Sequence, residues 1–329
     1  MTDQQNKYIP MDQRTGEESI VYFTRDLSAK GIEKVYEKVN DNITGKVAVK
    51  IHTGEPHGPN IVPSAWVKEV LSDEPSLKDA TIVETNTFYE GGRDTTEKHL
   101  ETLKVNGWTF CPVDIMDSEG TTDLPVNGGK WFKTMNVGKS MLNYDSLFTL
   151  THFKGHAMGG FGGSNKNIGI GCASGKIGKK AIHQKDGSDD MWSIGEEELM
   201  ERISESTKAT IDHFGKHVTY VNVMRNMSVS CDCEGVAAEP VVTPNVGILA
   251  SKDILAIDQA CVDLVYAMTE EEHHDLVERI ETRHGLRQLS YMKELGMGND
   301  RYILVDVDNG DAHILPKKAV EGLKPFKLI

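Results

Sequence analysis

Two rhythms alternate along this chain. Residues 19–24, 46–51, 81–85, 146–151, 218–224, 246–250 and 301–306 are short runs rich in β-branched and aromatic side chains, the composition of strands. Between them apolar residues recur at helical spacing. Ile32, Val35, Tyr36 and Val39 do so within 26–42, and Leu199, Met200, Ile203 and Ile211 within 196–214. Further helices are expected at 63–72, 95–106, 254–268 and 271–293, with Ser251 to Asp253 as the capped start of the fifth. A strand at 108–115 containing Cys111, a hairpin excursion within 120–137 and a short helix at 136–143 complete the pattern. Strand–helix–strand units of this length are βαβ crossovers. The expected fold is therefore α/β, a mostly parallel or mixed sheet flanked by helices in a single large domain. Residues 1–18 read as a flexible arm, 19–270 as the α/β domain, and 271–329 as a helix-and-strand extension packed on it.

In open α/β sheets, ligands bind beyond the carboxyl ends of the strands. Three expected strands run out into chemically rich sequence at that end. The first leads to His52 and Glu55, the second to Asn86 and Arg93. The third leads to His152, Lys154 and His156, which share one face if the backbone is extended. Gly155, Gly159, Gly160, Gly162 and Gly163 lie among and after them, in a stretch with too little apolar pattern for a core element. Glycine at that density lets the backbone turn tightly and approach a ligand. Asn165, Lys166, Asn167, Cys172 and His183 follow.

Cys231 and Cys233 form a second constellation, one residue apart after strand 218–224. In extended backbone both sulfurs face one way and could bind a soft metal; the other reading is a turn at the sheet edge. A disulfide between them would close a strained ring.

The candidate roles divide as follows. His52, Glu55, Lys154, His156 and Lys166 are the acid–base and electrostatic candidates, imidazole titrating near neutral pH. Asn86, Arg93, Gly160, Gly162, Gly163, Asn165 and Asn167 are candidates for holding a ligand. His152, His156, Cys172, His183, Cys231 and Cys233 are candidates for a metal, iron or zinc, which would polarise a substrate oxygen or act as a redox centre. Asp258 could support the site from behind. Gly171 to Lys176 lacks the spacing of a P-loop, the glycine run is no dinucleotide fingerprint, and no nucleophile elbow occurs.

Composition narrows the class. A formal charge of −14 over 329 residues opposes non-specific binding to nucleic acid or to an anionic membrane. No run approaches the ~18 apolar residues of a membrane helix, and the N-terminus has no apolar signal core. Five cysteines fit reduced thiols in the cytoplasm. A homo-oligomer is compatible with the sequence.

Taken together, these motifs resemble the DUF362 family, a domain of unknown function. The resemblance rests on Val47 to His52 with Gly54 and Glu55, Thr85 to Tyr89, His152 to His156, Gly160 to Gly163 and Lys166 to Cys172. It extends through His183, Cys231-Asp232-Cys233 and Ser251 to Ala260, spanning residues 19–268. Many similar proteins carry a ferredoxin-like insert with two four-iron clusters between the counterparts of His183 and the Cys-Asp-Cys motif. Residues 185–217 contain no cysteine, so no 4Fe-4S ferredoxin motif of that kind exists here. The resemblance implies a core that works without such clusters or draws electrons from a separate electron-transfer protein. The expected function is that of an enzyme, redox in one version, acting on a small anionic substrate; the rival is a non-catalytic carrier of a metal or anion.

Overall fold

The computed structural model describes residues 15–188, 190 and 193–329. Residues 1–14 of the expected arm lie outside the described residues. The first half of the chain forms β1 (Ser19–Thr24), α1 (Ala29–Tyr36), β2 (Val47–Lys50), α2 (Ser64–Asp73), β3 (Thr81–Glu84), α3 (Thr96–Val105) and β4 (Val113–Ile115). A hairpin, β5 (Thr121–Pro125) and β6 (Thr134–Gly138), precedes β7 (Ser146–His152), and a second small pair follows, β8 (Lys154–His156) and β9 (Gly160–Gly162). Then come α4 (Ser164–Gly171), α5 (Gly178–His183), α6 (Glu196–Phe214), β10 (Val218–Met224), β11 (Gly247–Ser251) and α7 (Ile254–Ala267). The chain closes with α8 (Glu270–Thr282), α9 (Arg287–Glu294), β12 (Tyr302–Asp306), β13 (Ala312–His313) and α10 (Pro316–Ala319).

Nine strands form one mixed sheet in the order β13-β12-β1-β11-β10-β7-β2-β3-β4. The run β10-β7-β2-β3-β4 is parallel throughout, and β11 lies antiparallel to both β10 and β1. Period-two alternation sends neighbouring side chains to opposite faces. Val49, Ile82, Phe148 and Val221 pack with Ile32 of α1, Val67 of α2 and Leu103 of α3. Ala48, Val83, Leu147 and Leu249 pack on the other face with Ile168 of α4, Ile203 of α6 and Leu264 of α7. Helices thus cover both faces in a single domain. Among the described residues no helix is long and apolar enough to cross a membrane.

Several elements differ from the sequence expectation. The helix expected over 26–42 ends at Tyr36. Of the strand expected at 108–115 only β4 joins the sheet; Trp108 instead buries its ring and donates its indole N–H to the Thr53 carbonyl at 2.9 Å. The 136–143 helix is the end of β6 followed by a 3-10 turn at Lys139–Asn143. The tail helix breaks in two where His284 takes a φ of 53° beside Gly285.

Most consequentially, the glycine-rich stretch is not an open loop: it makes a short β pair and then enters helix α4. Two glycines there are demanded by packing. A Cβ on Gly163 would lie 2.5 Å from an Asp258 carboxylate oxygen, and one on Gly160 (φ +73°) would lie 2.7 Å from the Gly285 Cα.

Candidate functional site

Because β2, β3, β7 and β10 are parallel, their carboxyl ends share one edge of the sheet. A cavity of about 360 Å³ opens there, and β8, β9, α4 and α5 close its other sides. Its wall includes His52, Arg93, Lys154, His156, Lys166, His183 and Cys233. Residues far apart in sequence therefore meet in one place.

Charge in the wall is organised by buried pairs. The Lys50 ammonium lies 2.9 Å from a Glu84 carboxylate oxygen, both residues being almost wholly buried. Burial works against the charge of Glu84, yet Lys50, His52 and Arg93 hold its carboxyl well below the usual range. His52 Nδ1 sits 3.6 Å from the same carboxylate. Glu55 accepts from the Tyr89 hydroxyl at 2.7 Å and from Arg93 Nε at 2.9 Å, so it orients Arg93 toward the cavity. Lys154 pairs with Asp232 at 3.1 Å.

The two central histidines differ in which nitrogen carries the proton. His156 Nδ1 accepts the backbone N–H groups of Gly159 at 2.8 Å and Met158 at 3.2 Å. Burial, with Lys166 nearby, lowers its proton affinity, so the ring is neutral with its proton on Nε2, directed at Cys231. His183 is arranged the opposite way. Its Nδ1 donates to the Lys179 carbonyl at 2.8 Å, which leaves the Nε2 lone pair for the cavity; burial pulls its pKa down to about 4.

Cys231 and Cys233 do not lie in an extended strand. Cys231 caps a 3-10 turn at Asp232–Ala237, where its backbone N–H is accepted by Glu234 at 2.9 Å. The sulfurs still approach one another, and with a His156 ring nitrogen their ligand atoms lie within 4.8 Å of each other. Lys166 Nζ is 3.6 Å from the Cys231 sulfur. Donation from Cys233 holds the Cys231 thiol well below its ordinary range, with Lys166 and His156 adding to the effect. Cys233, the donor, is pushed well above that range. The two sulfurs titrate as a pair and not as separate thiols. Of the two, only Cys233 is in the cavity wall; Cys231 is buried behind it.

Other sequence candidates sit elsewhere or do other work. Both ring nitrogens of His152 are engaged, Nδ1 with Asp232 at 2.8 Å and Nε2 with the Arg225 carbonyl at 2.6 Å, so neither lone pair can ligate a metal. Cys172 is fully buried near Lys50, apart from the other two thiols, and burial pushes it up to about 11. Asn165 turns its amide to Ser204 and Gln288, away from the cavity. Asn167 ties α4 to the Leu150 carbonyl and the Thr151 hydroxyl. Asn86 donates to Thr96. Gly162, Gly163 and Asn167 all border the cavity, Gly163 also serving the packing described above as Gly160 does.

Sequence reasoning gave no site role to Lys50, Glu84, Tyr89 or Asp232. Lys50 and Glu84 did carry a signal, an ionisable residue within each of two apolar strands. Buried charges are nearly always paired.

The fold and site define an α/β protein with a composite pocket at the carboxyl edge of a mixed sheet. The chain belongs to the family described as Domain of unknown function (DUF362), which matches residues 47–263. Among solved structures it is similar to the lactate racemase apoprotein from Thermoanaerobacterium thermosaccharolyticum. That match has 15% identity and a TM-score of 0.40, over 78% of this chain and 58% of that one. It is also similar to a structural-genomics protein from Thermotoga maritima, with 14% identity and a TM-score of 0.39, over 80% of this chain and 58% of that one. The chain thus spans 58% of the length of each. No match was found among curated proteins.

Proposed function

We propose that this chain is an enzyme that acts on a small anionic substrate in the cavity at the sheet edge, through the sulfur of Cys233. The observation that carries the reading is the placement of Cys231 between Lys166, His156 and Cys233 directly behind the cavity wall. A thiolate is the reactive form of cysteine, and nearby cations and hydrogen-bond donors favour it. Here the negative charge rests on Cys231 while Cys233 faces the ligand. As a carbonyl carbon approaches, Cys233 can pass its proton to Cys231 and attack as a thiolate, the C–S bond forming as the C=O π pair moves onto oxygen. The pair need never hold two charges at once. His156, pinned through Nδ1, keeps its Nε2 proton on Cys231 and so keeps that charge in place. Lys166 is then available to offset charge on the substrate.

The test is a turnover screen by NMR over small carboxylates and other anions, with and without a low-potential reductant. Conversion that is lost in Cys233→Ser supports the reading. Binding without conversion of any compound would instead favour a carrier.

A second reading is favoured by the close approach of His156, Cys231 and Cys233: iron or zinc held by the two sulfurs. Ligating histidines usually donate their second ring N–H to a neighbouring acceptor. His156 does the reverse, accepting at Nδ1, and would have to surrender its Nε2 proton to bind the ion. The histidine therefore fits a hydrogen bond to sulfur better than a metal bond. Elemental analysis of anaerobically purified protein separates the two, since the metal reading requires an ion that is lost in Cys231→Ser.

A further inference from the structure

Resting on the reading of this cavity as the functional site, its unspent hydrogen-bonding capacity specifies a substrate class. Three of the cations in its wall are already neutralised at close range, Lys50 by Glu84, Arg93 by Glu55 and Lys154 by Asp232. Lys179 directs its ammonium to the Thr85 hydroxyl and to the carbonyls of Thr85 and Asn86. Among the described residues Lys166 is different: it has no carboxylate partner within 4.0 Å, and its one hydrogen-bond contact is the Cys231 sulfur. An ammonium has three N–H donors, so two remain for a ligand.

The backbone offers little to a phosphate. Phosphate sites are built from converging amides of a glycine loop or a helix N-terminus. Here the amides of Met158 and Gly159 are spent on His156 Nδ1, and that of Phe161 on the Gly159 carbonyl. The amides of Ser164 and Asn165, at the start of α4, both go to Asp258. These five donors of the glycine-rich stretch are therefore turned inward. His183 also lines the cavity; with Nδ1 donating to the Lys179 carbonyl its Nε2 is an acceptor and needs a donor from the ligand. Phe88, Met158 and Ile170 supply apolar wall.

We propose that the cavity takes a small monocarboxylate that also carries an O–H or N–H group, with the carboxylate on Lys166 Nζ, the donor group on His183 Nε2, and the carbon skeleton against the apolar wall. A phosphate or phosphate ester finds one lysine and no amide cradle, and is refused. This specificity comes from side chains and is legible only once the backbone donors are accounted for.

Calorimetric titration of the full chain tests it with five ligands: 2-hydroxybutyrate, 3-hydroxybutyrate, butyrate, acetate and inorganic phosphate. The expected order is a hydroxybutyrate tightest, then butyrate, with phosphate weakest. Lys166→Met should weaken every carboxylate by about tenfold or more, the scale of a charge-assisted hydrogen bond. Lys166→Arg should retain much of the binding. His183→Leu should weaken the hydroxybutyrates alone and leave butyrate unchanged. Phosphate binding as tightly as the carboxylates would overturn the proposal, as would equal affinity for butyrate and both hydroxybutyrates. Those two comparisons need only the wild-type protein, so a variant that fails to fold does not blunt them. Binding is read without turnover, so a carboxylate that binds and is not converted counts against the enzyme and not against this recognition. Turnover of a phosphorylated compound counts the other way.

Discussion

Asp258 of α7 accepts the backbone N–H of Asn165 at 2.9 Å, and its other oxygen accepts that of Ser164 at 2.8 Å. The positive end of the helix that carries Lys166 and Asn167 therefore faces a carboxylate of the same chain. Lys166 is placed by this contact, because α4 has little helical propensity of its own: its eight residues include Gly169 and Gly171.

Replacing Asp258 by Asn puts an amide N–H against one of those backbone donors. The expected cost is about 1–3 kcal/mol of stability, read by urea denaturation. The effect should depend on pH. Burial pushes the Asp258 carboxyl up to about 6 in the fold from a reference of 3.8. The folded state thus binds this proton more tightly than the unfolded chain, and the contribution is complete below pH 3.8 and lost as pH rises through 6. The stability gap between wild type and Asp258→Asn should therefore shrink between pH 4 and pH 7. A gap that widened over that range would contradict the placement.

The Lys50–Glu84 pair should behave as a buried unit. Removing one partner, as in Lys50→Met or Glu84→Leu, leaves an uncompensated group and should cost about 3–5 kcal/mol. The double substitution Lys50→Met with Glu84→Leu should recover a large share of that. Thermal or chemical melts of the four proteins form the cycle, and strictly additive losses would show that the pair is not coupled.

Thiol labelling reads the sulfurs directly. At pH 7 iodoacetamide should modify Cys233 before the other cysteines, with peptide mass spectrometry reporting the order. Cys172 and Cys261, whose thiols burial pushes up, should stay unmodified in the folded protein. Lys166→Met should slow labelling of Cys233 by about tenfold, since it removes a cation that favours its thiolate, whereas Cys231→Ser should speed it, since Cys231 is what pushes the Cys233 thiol up. Unchanged rates would mean that the three groups act independently.

How much of this was legible in the sequence depended on what holds each element in place. The strand at 218–224 and the helix at 196–214 carry strong periodicity and were legible to the residue. Helix α4 was not, since it is held by Asp258 at its start and by the approach of Gly169 to the backbone of α6, contacts with no local signature. The same holds within the site. Polar groups beyond strand ends marked His52, Arg93, Lys154 and His156, and the sheet places all four in one wall. The opposite proton placement on His156 and His183 was invisible, because it is set by backbone groups that converge only after folding. Cys172 belongs to the same motif in sequence as Lys166, yet the turn of α4 carries it into the core.

The most direct test compares wild type with Cys233→Ser in the NMR turnover screen, with ligand binding measured in parallel. The account predicts that wild type converts at least one small carboxylate and that Cys233→Ser binds the same compound without converting it. Equal conversion by the two proteins, or binding with no conversion by wild type across the panel, would contradict it.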